Sequence, residues 1–320
     1  MLSTPDSHAR AGGSFAGRFR TLLLLIPLLL ALVACASRAP EPKLPRERPL
    51  PVLLIGIDGF RPDYLALPEA RTLRALAEGG GHAEALQPAY PSLTFPNHYT
   101  LVTGLHPDRH GIINNSMRDP DLGSFAMHLR AAVADGRWWG GEPVWITAKR
   151  HGLRSATLFW PGSEADVAGQ HPDEWLPYDA SLGSARRVQQ VLEWLARPQS
   201  SRPDFMTLYF EQVDSIGHDV GPDAPELRRA VSAVDRSVRE LLAGIAAAGW
   251  ADRINLVLVS DHGMTAIDES RPILLDELVD PRSFELVSFG ASAGIQPRRG
   301  RSADVEAALL RPHAHMRCFR

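Results

Sequence analysis

Three short stretches of this chain each place an aspartate where a metal-dependent hydrolase needs one. They are IDGFRPDYL with Asp58, DSIGHD with Asp214 and His218, and VLVSDHGM with Asp261 and His262. Each belongs to a run that reads as a buried strand and its exit: VLLIGID, FMTLYFEQVD and INLVLVSD. Ligands of open α/β sheets gather at the carboxyl ends of the parallel strands. Three such strands therefore bring three carboxylates and two imidazoles to one sheet edge. Aspartate and histidine are zinc ligands, and two adjacent ions can clamp the attacking and leaving oxygens of a phosphoryl displacement. Asp214 and His218 stand one helical turn apart if a helix begins there. Asp261 and His262 are neighbours, which demands a sharp backbone turn that Gly263 is placed to permit. Singly, each piece has a plainer reading, an Asp-Gly after a strand being usually a turn. It is the three together, in this order, that point to a metal site.

A fourth stretch, YPSLTFPNHYTLVTGLHPDRHGI from Tyr90 to Ile112, offers a nucleophile. Thr94 stands where a helix starts, with a proline two residues on, and free N–H groups and the positive dipole end lie at such a start. A hydroxyl there could bind a metal, lose its proton and attack a phosphate held by the amides. The alternative is that Thr94 only caps the helix.

The elements that must carry these residues alternate. Strand patterns at Val52, Ser155–Trp160, Phe205–Phe210 and Ile254–Val259 are separated by helical ones at Pro68–Glu78, Thr94 onward, Glu142–His151, Ser181–Ala196 and Glu226–Ala248. The alternation predicts an α/β fold, with a mostly parallel central sheet covered by helices on both faces. Beyond Met264 the rhythm changes to short strands at Ser283–Phe289 and Ala293–Pro297 and a short helix at Ala303–Leu310.

The 320 residues suffice for a large core, and a formal net charge of −3 gives no footprint for nucleic-acid binding. Two cysteines exclude a disulfide scaffold. Arg10, Arg18 and Arg20 precede the apolar run from Leu22 to Ala34, which has the form of an export leader (residues 1–34) rather than a spanning helix. The run ends in LVAC and resembles the lipobox of bacterial lipoproteins, with Cys35 the acylated residue; a plain secretory signal is the alternative. The expected organisation is leader 1–34, a proline-rich tether 35–51 and a catalytic domain 52–320, exported and held by lipid on the periplasmic side of a membrane.

In order and spacing, IDGFRPDYL, PSLTFPNHYTLVTGLHPDRHGI, DSIGHD and SDHGM resemble the nucleotide pyrophosphatase/phosphodiesterase family of the alkaline phosphatase superfamily, from about Val52 onward. The resemblance implies an alkaline-phosphatase-like fold, two zinc ions and a threonine that is transiently phosphorylated while nucleoside 5′-monophosphates are released. It assigns Asp58, Thr94, Asp261 and His262 to one zinc, and Asp214 and His218 to the other. It makes Asn115 the ligand of a non-bridging phosphate oxygen, Phe95 and Tyr178 the pair that sandwiches a base, and Trp160 part of the same pocket. The family's second zinc also takes a histidine from a GxHG-type segment beyond SDHGM. The chain stops before one, and His313 and His315 read as loop histidines. The expectation is thus a chain incomplete at its C-terminus. Rival functions are a choline-phosphodiester or phosphonate hydrolase of the same superfamily, and a catalytically impaired binding lipoprotein.

Overall fold

The computed structural model describes residues 48–268 and 270–320. The expected leader, Cys35 and the tether up to residue 47 lie outside the described residues. The tether was drawn to residue 51, yet Pro51 is already buried in the fold and its carbonyl accepts the amide of Asn255 at 2.8 Å.

The chain opens with β1 (Val52–Ile57) and continues through helices α1 (Arg71–Gly79) and α2 (Thr94–Thr103). A hairpin of β2 (Ser116–Asp119) and β3 (Gly123–Ala126) leads to α3 (Val144–Arg150), β4 (Ser155–Leu158) and β5 (Glu174–Leu176). Then come α4 (Ser184–Leu195), β6 (Phe205–Phe210), α5 (Gln212–Val220), α6 (Pro225–Ala247) and β7 (Asn255–Val259). A second hairpin, β8 (Phe284–Ser288) with β9 (Gly294–Pro297), and α7 (Ser302–Leu309) complete it. Among the described residues no helix is long and apolar enough to cross a membrane.

Five strands form one sheet in the order β5-β4-β6-β1-β7, every pairing parallel. Side chains of a strand alternate between its two faces. Leu53, Ile55 and Ile57 of β1 accordingly enter one core with Met206, Leu208 and Phe210 of β6 and the apolar faces of α4 and α6. Val52 and Leu54 pack on the opposite face, against a cluster holding Tyr99 and Val102 of α2, Trp145 of α3, Trp138 and Trp139. Parallel strands buried on both faces read as continuous apolar runs, which is why VLLIGI and FMTLYF were recognisable. At the edge, β7 is only partly covered among the described residues, with Val257 at 42 % exposure.

The β1–β6 register pairs Ile57 with Phe210, and the Asp58 amide donates to the Phe210 carbonyl at 2.9 Å. The carboxyl ends of β1, β6 and β7 therefore lie side by side. The residues after them form the site.

Candidate active site

Asp58 leaves β1 into Gly59, which adopts φ +66°. A Cβ built on that glycine would stand 3.0 Å from the backbone and side chain of Asp214, so only glycine lets the two loops approach this closely. The Gly59 amide donates to Asp261 Oδ1 at 3.2 Å, and the Phe60 amide to Ser260 Oγ at 3.0 Å. Ser260 also donates to the His262 carbonyl at 2.7 Å, and this hydroxyl braces the sharp turn at Asp261–His262. The turn was expected to need Gly263 in a special conformation. Gly263 instead has an ordinary φ, and lies where a Cβ would stand 3.1 Å from the Arg61 side chain.

The helix condition on Asp214 and His218 is met: both lie on α5, with His218 Nε2 3.4 Å from Asp214 Oδ1. Their settings differ, since the Asp214 side chain is 16 % exposed and that of His218 72 %. Thr94 is the first residue of α2, but the cap position falls to Leu93 and carries no side-chain cap bond. The Thr94 hydroxyl lies 3.4 Å from His262 Nε2 instead, which removes the capping alternative. Asn97 fixes the approach to this helix start by accepting the Ala89 amide at 2.7 Å and donating to the Ala89 and Leu93 carbonyls.

Ligand atoms of Asp58, Asp214 and His262 lie within 4.8 Å of one another, as do those of Asp58, His98 and Asp261. His262 Nε2 is 3.1 Å from Asp261 Oδ2 and 3.5 Å from Asp58 Oδ1. Asp58 Oδ1, Asp214 Oδ1 and Asp261 Oδ2 are buried and face only imidazole nitrogens, with no well-formed hydrogen bond. Buried anionic oxygens without donors are costly, and three of them converging on one imidazole fit a divalent cation with oxygen and nitrogen ligands. The titration behaviour agrees with this crowding. Burial, then the charges of Asp261 and Asp214, push Asp58 well above the ordinary carboxylate value. Burial likewise raises Asp214, against the pull of His218 and His262. Burial acts to raise Asp261 too, but His98 and His262 hold it below the ordinary value.

Asn115 accepts the Phe95 amide on its Oδ1 at 2.9 Å, which ties it to the residue that follows Thr94. Phe95 is partly buried against Phe125 and Trp139, with ring centroids 6.0 and 5.9 Å away. Tyr178 is 36 % exposed and rests edge-on against Phe159 at 5.4 Å and Tyr209 at 6.4 Å. Trp160, expected in the same pocket, needs correction. It is 1 % exposed, its indole N–H donates to the His98 carbonyl at 3.0 Å, and its ring packs on His98. It supports the site from below. His313 Nε2 meets the Leu309 carbonyl at 3.1 Å, and neither His313 nor His315 joins a candidate metal cluster among the described residues.

Two contributors were not singled out from the sequence. His98 is fully buried, with Nδ1 3.0 Å from the Thr94 carbonyl and 3.2 Å from Asp261 Oδ2. Its place four residues after Thr94, on the same helix face, was the available signal. Tyr209 donates its hydroxyl to Asp58 Oδ2. A lone tyrosine in the apolar FMTLYF strand was the only hint of it.

Residues 52–319 match the family model described as type I phosphodiesterase / nucleotide pyrophosphatase. The chain is 40 % identical to human ectonucleotide pyrophosphatase/phosphodiesterase family member 1 over 266 residues, covering 80 % of this chain and 28 % of that protein. It is 38 % identical to the venom phosphodiesterase of Naja atra, covering 78 % of this chain and 30 % of that one. The chain thus spans under a third of the length of these curated relatives. Among solved structures, an inactive variant of murine ectonucleotide pyrophosphatase/phosphodiesterase 5 in complex with AMP superposes with a TM-score of 0.77 at 35 % identity, covering 81 % of this chain and 69 % of that one. The human counterpart gives 0.78 at 34 % identity, covering 82 % and 70 %.

Proposed function

The chain belongs to the type I phosphodiesterase / nucleotide pyrophosphatase family, and from that premise we propose that it hydrolyses phosphodiester or pyrophosphate bonds of nucleotides and releases nucleoside 5′-monophosphates. Asp58, Thr94, Asp261 and His262 would hold one zinc, and Asp214 with His218 the other. Bound there, zinc supplies positive charge that lowers the pKa of an oxygen it contacts and offsets the charge of the phosphoryl group. Thr94 is the nucleophile: its Oγ forms the bond to phosphorus while the bond to the leaving oxygen breaks. Water then displaces the threonine oxygen from the phosphothreonine, and the 5′-monophosphate departs. Asn115, whose Oδ1 accepts the Phe95 amide, donates its NH₂ to a non-bridging oxygen where charge accumulates. Phe95 and Tyr178 take the base between them.

One observation carries this reading. The Thr94 hydroxyl, at the first position of α2, meets His262 at the edge of the buried carboxylate cluster, so nucleophile and cation site are contiguous. The names of the relatives, ectoenzymes and venom enzymes, support export, and Cys35 remains the proposed point of lipid attachment. Thr94→Ala should abolish hydrolysis of p-nitrophenyl thymidine 5′-monophosphate while the protein still folds and binds zinc; Thr94→Ser should retain part of the rate. Near-normal turnover by the alanine variant would remove Thr94 from the chemistry.

A further inference from the structure

We infer that Arg187 is a positioning residue that fixes the wall for the nucleoside and the metal-bearing turn from a single point. The inference rests on the nucleotide-hydrolase reading above. Arg187 lies in the first turn of α4, and its side chain is completely buried. A guanidinium taken wholly out of water is tolerated only when its donors are satisfied, and here each bond goes to a segment of the site. Nε donates to the Leu182 carbonyl at 2.7 Å. Nη1 donates to the Tyr209 carbonyl at 2.9 Å. Both terminal nitrogens pair with the Glu211 carboxylate, Nη2 reaching Oε1 at 2.8 Å.

These partners lie on two sides. Tyr209 and Glu211 are the residues through which β6 passes into α5, and Asp214 follows three residues later. Tyr209 is also the residue whose hydroxyl reaches Asp58. Holding its carbonyl and the Glu211 carboxylate therefore fixes the backbone from which two cation ligands are set. On the other side, Leu182 closes the short loop that begins at Tyr178, and that loop is tied at its start by the Tyr178 amide donating to Glu164 at 2.9 Å. The fourth contact is a stacked one. The guanidinium lies 4.9 Å from the centroid of Phe159, and the Phe159 ring is what Tyr178 rests on. Phe159 has φ +65°, a conformation that a bulky residue holds only when its surroundings impose it. Stacking on a planar cation favours arginine over lysine here, as does the two-pronged pairing with Glu211.

Loss of a buried ion pair with a structural role alone would lower stability and nothing else. The positioning role makes a different prediction, tested in the full chain with Arg187→Lys and with the paired change Arg187→Met/Glu211→Gln, which leaves no lone buried charge. In variants shown to be folded by a cooperative thermal transition, KM for p-nitrophenyl thymidine 5′-monophosphate should rise about tenfold, the scale of one lost base-stacking contact. The loss on bis-p-nitrophenyl phosphate, which has no base, should stay clearly smaller. Adding Tyr178→Ala to Arg187→Lys should cost little beyond Tyr178→Ala alone, because coupled residues are not additive. Zinc affinity, read by competition with a chromophoric chelator and independently of turnover, should weaken about tenfold, the effect of losing a group that orients a ligand. Parallel losses on both substrates that track the folded fraction, additive effects with Tyr178→Ala, or unchanged zinc affinity would overturn the proposal. If the unmodified chain cleaves neither substrate, the hydrolase reading fails. Zinc competition and binding of thymidine 5′-monophosphate then still decide the role of Arg187.

Discussion

Replacing Asp58 by asparagine should stabilise the protein once metal is removed. Oxygens of Asp58 lie within 4.8 Å of a ligand atom of both Asp214 and Asp261. Two unit charges at that separation repel by about 3.5 kcal/mol at an effective dielectric of about 20. Two such repulsions act on Asp58, and its 1 % exposure leaves water little access to screen them. Against this, Asp58→Asn weakens the bond from Tyr209 from a charged to a neutral one, at about 1 kcal/mol. Two repulsions of about 3.5 kcal/mol less about 1 kcal/mol leave a net gain of several kcal/mol wherever Asp58 is ionised. The sign of the pH dependence follows from the raised folded-state value of Asp58. A carboxyl that binds its proton more tightly when folded destabilises the fold fully above that value, and the penalty is lost as the pH falls from it toward the unfolded-state value. The advantage of the variant should therefore shrink toward acid. Urea denaturation in EDTA at pH 8 and pH 6 measures both quantities. With zinc the order should reverse, because the variant loses a ligand and with it the stabilisation that a bound ion confers. A variant less stable than the parent in EDTA at pH 8 would refute the repulsive cluster, and with it the main physical ground for a cation there.

Phe95→Ala and Tyr178→Ala should each weaken nucleotide substrates about tenfold, by the ~1–3 kcal/mol of base stacking, and affect bis-p-nitrophenyl phosphate less; equal losses would make both rings structural. His110 is fully buried beside Thr100 of α2, and burial lowers its pKa from 6.5 to about 4. A histidine kept neutral when folded loses stability as the pH falls from 6.5 toward 4, by up to about 3 kcal/mol. In EDTA, His110→Gln should flatten the stability profile in that window, and an unchanged slope would refute it. Equilibrium dialysis should find close to one tightly held zinc per chain, because Asp214 and His218 offer two ligands and His218 is 72 % exposed. Two tight zincs would mean that further residues complete the second site.

The parts legible in the sequence were those in which residue type and local period carry the signal together. The strands β1 and β6 were read within a residue of their bounds, because a parallel strand buried on both faces is an uninterrupted apolar run. The helices α4 and α6 showed their apolar faces at helical spacing. The start of α1 was placed three residues early for a physical reason. Its first free amides, Thr72 and Leu73, are taken by Asp235 of α6 at 2.7 and 2.9 Å, a cap more than 160 residues away. Strand β5 and the β2–β3 hairpin were missed because three or four residues are too few to show a period.

The candidate site divides in the same way. Asp58, Asp214 and Asp261 were found because each stands at the exit of a readable strand, where the fold class alone says ligands collect. Trp160 was misread because an aromatic beside a glycine-containing turn looks alike whether it faces a cleft or the core; only its 1 % exposure and its bond to His98 decide. His98, Tyr209 and Arg187 were passed over for one shared reason. Each acts on a residue far away in sequence: His98 on Asp261, Tyr209 on Asp58, and Arg187 on Glu211. Groups that would touch metal or phosphate are confined to few residue types and few places on a sheet, and that confinement leaves a pattern in the chain. Groups that aim them answer only to local geometry and leave none. The proposed function would depend on both, since a carboxylate displaced by an ångström could no longer share a cation with its neighbours. The second set is therefore where the structure adds most to the sequence, and where substitutions should alter metal affinity and substrate preference without touching a reacting atom.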